Sequence, residues 1–187
     1  MAADRVTPDA APLPRLRAFE DLYSGSRIAV PELDVIDGAK IPEPYRTLLV
    51  HDGDMTPALE KFHADGIHLQ VLRSKRTKDH YSRDVVLRAD TTRKPIEFGA
   101  IEINLASVHE VAREAILQGQ RPLGGILRDF SIAHLSRPKA YFRVVADDVI
   151  RRSLELNGST EILYGRRNTL LVPGGAVLAE IIEILPP

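Results

Sequence analysis

Residues 67–105 read IHLQVLRSKR-TKD-HYSRDVVLRAD-TTRK-PIEFGAIEINL. Three runs rich in β-branched and aromatic residues are separated here by short polar connections. A parallel crossover needs a dozen or more residues, so these connections predict an antiparallel meander. Side chains alternate between faces along a strand. In YSRDVVL, Tyr81, Arg83, Val85 and Leu87 therefore share one face, with Ser82, Asp84, Val86 and Arg88 on the other. Arg83 is a charge set in the apolar face.

Toward the C-terminus, SVHEVAREAILQG is the clearest helix, with Ser107 and Glu110 spaced as a capping box and Gly119 as the stop. Val108, Val111, Ala112, Ala115 and Ile116 form its apolar stripe. RPLGGILRDF reads as a short helix entered through Pro122, PKAYFRVVA as a strand, and DDVIRRSLEL as a helix ended by Asn157-Gly158. The last unit, TEILYGRRNTLLV-PGG-AVLAEIIEILPP, is a hairpin around a Pro-Gly-Gly turn. Toward the N-terminus, HDGDMTPALEKFHADG predicts a helix capped by Asp54, lined by Met55, Leu59 and Phe62, and ended by Gly66. Residues 1–44 are rich in Pro and Ala and read as a partly ordered arm, with one helical turn at LRAFEDLY. The expectation is an α+β domain over 45–187: a six-stranded, largely antiparallel sheet with helices packed on it.

Composition narrows the chemistry. The chain has 187 residues, no cysteine and a formal net charge of −1. That excludes a disulfide framework and a thiolate nucleophile, and gives no reason to expect nucleic acid or an anionic membrane as partner. The N-terminus lacks the apolar core of a secretory signal, and no apolar run approaches the roughly 20 residues that span a bilayer. A cytoplasmic protein is the expectation. The histidines at 51, 63, 68, 80, 109 and 134 have no metal-ligand spacing, and neither a phosphate-binding glycine loop nor a GxSxG elbow occurs. Neither metal nor cofactor is expected.

What remains is charge placed against the apolar pattern. On the last strand Val177, Ala179, Ile181, Glu183 and Leu185 share a face, and Glu183 is its one charge. A buried ion needs a partner of opposite sign. Arg83 and Glu183 could pair with each other, reach the sheet edge, or face a ligand in an apolar cavity, where arginine suits carboxylate recognition. Arg166 and Arg167 read as solvated strand charges.

The segments LLVHDGDMTPALEKF, SRDVVLRAD with FGAIEI, RPLGGIL, and YGRRNTLLVPGG with IEILPP stand in an order and at intervals that resemble the chorismate pyruvate-lyase (4-hydroxybenzoate synthase) family. The resemblance implies a chorismate lyase-like, UTRA-like fold enclosing an internal ligand cavity under helical flaps. It implies a cofactor-independent lyase converting chorismate to 4-hydroxybenzoate and pyruvate. The family's carboxylate-binding arginine falls on Arg83, its catalytic acid on Glu183, with Glu180 as second choice, and its backbone contacts to ligand on Met55 and Leu123. Strand parity favours Glu183, because reaching Glu180 turns the side chain to the other face. The alternative is a non-catalytic module of the same fold that holds an aromatic acid as a sensor. The absence of a helix-turn-helix ahead of the domain weighs for the enzyme. Partners are then the small molecules alone, with no nucleic acid or membrane, and the chain is a monomer or weak homodimer.

Overall fold

The structure is a computed structural model and describes residues 16–24, 27–157 and 162–187. Its strands are β1 (Asp34–Ile36), β2 (Ile67–Arg76), β3 (His80–Ala89), β4 (Pro95–Asn104), β5 (Leu135–Val145), β6 (Ile162–Leu171) and β7 (Val177–Leu185). They form one sheet in the order β1-β5-β6-β7-β4-β3-β2, antiparallel at every pairing. The meander of β2, β3 and β4 and the β6–β7 hairpin follow the alternation in the sequence. The hairpin docks β7 against β4, which sets Glu183 opposite Gly99 on one side and Arg166 on the other.

Helices cover both faces: α1 (Arg17–Tyr23), α2 (Tyr45–Leu49), α3 (Met55–His63), α4 (Glu110–Gln118), α5 (Leu123–Asp129) and α6 (Asp148–Ser153). On one face, Phe19 and Tyr23 of α1 and Ile150 of α6 pack with Val86, Phe98, Ala100, Phe142, Ile182 and Ile184. The other face carries two clusters. One gathers Ile101, Ile103 and Leu170 under α4 and α5, and the other gathers Leu87 and Leu185 under α2 and α3. The candidate site lies between those two clusters.

The sheet has seven strands where six were expected. The extra one, β1, comes from the segment before Tyr45, and pairs Asp34–Ile36 with Tyr141–Arg143 at the sheet edge. The same segment supplies α1, in which Ala18, Phe19 and Tyr23 are buried. Its first 15 residues lie outside the described residues. Local details also differ. The N-cap of α4 is His109, whose Nδ1 accepts from the Ala112 N–H, while the Ser107 hydroxyl donates to the Val177 carbonyl. Phe62 and Val111, assigned to apolar stripes, are 49% and 58% exposed, because each stands on the outer edge of its helix. The α3 helix ends at Ala64 in the left-handed region rather than at Gly66. Among the described residues no helix is long and apolar enough to cross a membrane.

Candidate functional site

A pocket sits on the face covered by α3 and α5. Its floor is the sheet: Arg83, Val85 and Leu87 of β3, Glu97, Gly99 and Ile101 of β4, Ile181 and Glu183 of β7, and Asn168 and Leu170 of β6. Asp54, Met55 and Thr56 at the start of α3 form the roof with Pro122, Leu123 and Gly124 at the start of α5. The two helix starts touch, for a Cβ added at Gly124 would stand 3.4 Å from the Thr56 Oγ1. Space open to water-molecule centres is about 60 Å³. One buried water needs roughly 10–15 Å³ on the same measure, so the pocket has room for several.

The roof is held down by Arg166, the largest wholly buried side chain of the described residues. Its Nε donates to the Glu183 carboxylate across the β6–β7 pair. Its Nη1 donates to the carbonyls of His51 at 3.1 Å and Leu49 at 3.4 Å, and its Nη2 to that of Gly53 at 3.1 Å. Three alternate carbonyls of residues 49–53 are thereby tied to the sheet, which fixes where α3 begins. Burial alone would lower the Arg166 pKa, but the charge and hydrogen bond of Glu183 outweigh it and raise it. Asp54 does not cap α3 with its side chain; its Oδ2 stands 2.9 Å from the His134 Nε2.

Arg83 is only 3% exposed. Its Nη2 donates to the Arg121 carbonyl at 3.1 Å, and its Cζ lies 6.0 Å from the centre of the Tyr81 ring. Nε and Nη1 are buried and have no hydrogen-bond partner. Burial pulls its pKa below the usual arginine range, against a smaller opposing contribution from Tyr81. Among the described residues no carboxylate pairs with it.

Arg83 and Glu183 thus line one pocket without touching each other, since the partner of Glu183 is Arg166. Met55 and Leu123 stand in the roof. Glu180 is on the opposite face, accepting from Thr169 Oγ1 at 2.8 Å and paired with Arg167 at 3.1 Å. Arg166 and Arg167 are not solvated strand charges, because each has a glutamate directly or diagonally across β7 to hold it inside. Sequence reading also passed over Glu97. It is 4% exposed, with Oε2 buried and in no hydrogen bond. The alternation that singled out Arg83 and Glu183 would have found it on β4, as the charge beside Gly99, Ile101 and Ile103. Among the described residues no group of three or more His, Asp or Glu could hold a metal ion.

No family model matches the sequence, and no curated protein matches it. Solved structures do. The effector domain of PhnF from Mycobacterium smegmatis aligns at 10% identity and a TM-score of 0.51, over 73% of this chain and 90% of that one. The chain shares its fold with an effector domain. A longer PhnF chain aligns at 12% identity and a TM-score of 0.54, over 73% of this chain and 64% of that one. YydK of Bacillus subtilis, described as a possible transcriptional regulator, aligns at 6% and 0.50, over 64% and 58%. The chain therefore spans less than two thirds of YydK and of the longer PhnF chain.

These likenesses support the chorismate lyase-like, UTRA-like fold without supporting a chorismate lyase. The lyase expectation is overturned: the similar structures are an effector domain and a possible transcriptional regulator. The site agrees, since Glu183, the intended proton donor, is an acceptor engaged by Arg166. The expectation that nucleic acid plays no part also loses its support, because YydK, one of the similar proteins, is described as a possible transcriptional regulator.

Proposed function

We propose that the chain is a non-catalytic effector-binding domain that takes a small aromatic acid into the pocket, with Arg83 as the clamp for its carboxylate. The observation that carries this reading is a buried guanidinium on a residue that lines an apolar pocket, with two of its nitrogen atoms unpartnered. A charge left in that state costs several kcal/mol, and a ligand carboxylate offsets the cost with charge-assisted hydrogen bonds. Met55 and Thr56 of the first turn of α3 line the same pocket, and a helix start leaves backbone donors without intrahelical partners. Size is consistent: about 60 Å³ for water centres corresponds to roughly four to six waters, or about 120–180 Å³ of displaced liquid, the scale of a single-ring acid. Likeness to an effector domain and to a possible transcriptional regulator supports reading occupancy of the pocket as a signal and not as a step in a reaction.

The test is calorimetric titration with 4-hydroxybenzoate, alongside a search for pyruvate after incubation with chorismate. The wild type is expected to bind and to release no pyruvate. Arg83→Met is expected to weaken binding about 10–100-fold, the worth of a hydrogen bond to a charged group. Its melting temperature without ligand should hold or rise, because an unpaired buried charge has been replaced by an apolar chain. Unchanged affinity in Arg83→Met would sink the clamp.

A further inference from the structure

One buried acid in the pocket has no role so far. Glu97 is 4% exposed, its Oε2 is buried without a hydrogen-bond partner, and it lines the same pocket as Arg83. Its side chain turns back along β4. The Oε1 lies 3.2 Å from where a Cβ on Gly99 would stand, so the carboxyl occupies room that the glycine leaves free. The Val85 Cγ2 is also 3.2 Å from that point and closes the floor beside it. Arg83 pairs with Ile101, the next residue along β4 on the same face. Two residues of strand are roughly 7 Å, so the row holding the Glu97 head and the row holding Arg83 stand about one ring apart.

We propose that Glu97 is the second polar anchor of the pocket, and that the acid held there carries a hydroxyl group at the end opposite its carboxylate. This rests on the reading of Arg83 as the carboxylate clamp. The ends of the pocket differ in kind. Arg83 offers donors and positive charge. Burial first, and the nearby Glu183 second, push the Glu97 carboxyl well above the usual range, against the opposing pull of Arg166. A neutral carboxyl has one O–H to give and oxygen atoms to receive with, which a hydroxyl group matches on both counts. An ammonium group would require Glu97 to ionise beside Glu183, and a methyl group would leave the buried oxygen unpaired. A site with a buried polar group discriminates strongly against ligands that cannot bond to it.

Titration of the wild type with 4-hydroxybenzoate and with 4-methylbenzoate, which has nearly the same shape and no hydrogen bond to give, tests the assignment. The hydroxy acid is expected to bind about 10–100-fold tighter. Glu97→Leu should reduce that ratio to about threefold or less by weakening the hydroxy acid alone, and Glu97→Gln, which keeps polar atoms in place, should retain most of it. Equal binding of both acids to the wild type overturns the role of Glu97 and leaves the Arg83 clamp standing, whether or not the variants fold. An undiminished ratio in Glu97→Leu does the same. Binding of neither acid to the wild type overturns the clamp itself, and this inference with it.

Discussion

Arg166 shows how one residue can hold both a core and a roof. It neutralises Glu183 within the sheet and donates to three carbonyls of the loop that leads into α3. Truncating it leaves a buried carboxylate without its cation and a loop without its donors. Arg166→Met is expected to cost about 3–5 kcal/mol in urea denaturation, the range for breaking a buried pair from one side. Adding Glu183→Leu should recover part of the loss by removing the stranded charge, while the loop carbonyls stay unsatisfied. A single variant as stable as the wild type would refute this. At this scale the sequence exposes Arg83, because one charge among Tyr81, Val85 and Leu87 breaks a clean alternation. It conceals Arg166, because Arg167 beside it makes the strand read as polar on both faces. Only the register against Glu183 and Glu180 tells the two arginines apart.

The strands β6, β7 and β4 illustrate what an element reveals and what it withholds. Alternation in residues 162–171 and 177–185 locates both strands, and the glycines at 174 and 175, both with positive φ, mark the turn between them. Gly165, by contrast, looks like a flaw within a strand. In the structure it lies opposite Phe142 on β5, and the Phe142 ring covers it: a Cβ there would come within 2.5 Å of Cζ and 2.7 Å of Cε2, and would also strike the Glu183 carbonyl. Gly165→Ala is therefore expected to destabilise by roughly 1–3 kcal/mol despite alanine's usual advantage over glycine, since both the ring and a central strand must shift. Thermal denaturation reads this as a drop of several degrees, and an unchanged midpoint would mean that the ring moves freely. β1, and the packing of α1 beyond the helical turn expected at LRAFEDLY, are hidden in the sequence for a different reason. Their Pro- and Ala-rich surroundings resemble an arm, and Phe19 and Tyr23 find apolar neighbours only once the sheet exists to receive them.

Across the whole molecule, β3 connects two buried environments with adjacent residues. Arg83 faces the pocket, and Asp84 faces the core under α1, 3% exposed and with Oδ1 buried and unpartnered. Burial lifts the Asp84 carboxyl to about 7; Arg73 across the β2–β3 pair opposes this, and Asp21 on α1 adds to it. Arg73 is partly committed elsewhere, donating to the Leu22 carbonyl at 3.2 Å and the Ser24 hydroxyl at 2.8 Å, where it pins the end of α1. Because the folded pKa is raised, the native state binds this proton more tightly than the unfolded chain does. Stability from this group is thus greatest in acid and declines as pH rises from about 4 toward 7, then levels. Asp84→Asn keeps the shape and removes the ionisation. Against the wild type it should be indistinguishable below about pH 4 and more stable by about 2–4 kcal/mol above pH 8, three units at roughly 1.4 kcal/mol each setting the upper bound. Urea titrations across that range check it, and subtracting wild type from variant cancels every other group that titrates. Affinity for 4-hydroxybenzoate should not change, because the carboxyl lies on the far side of the sheet from the pocket. A stability difference that is flat with pH would show that Asp84 is ionised and satisfied in the native state, and a change in affinity would show that the two faces of β3 do not act independently.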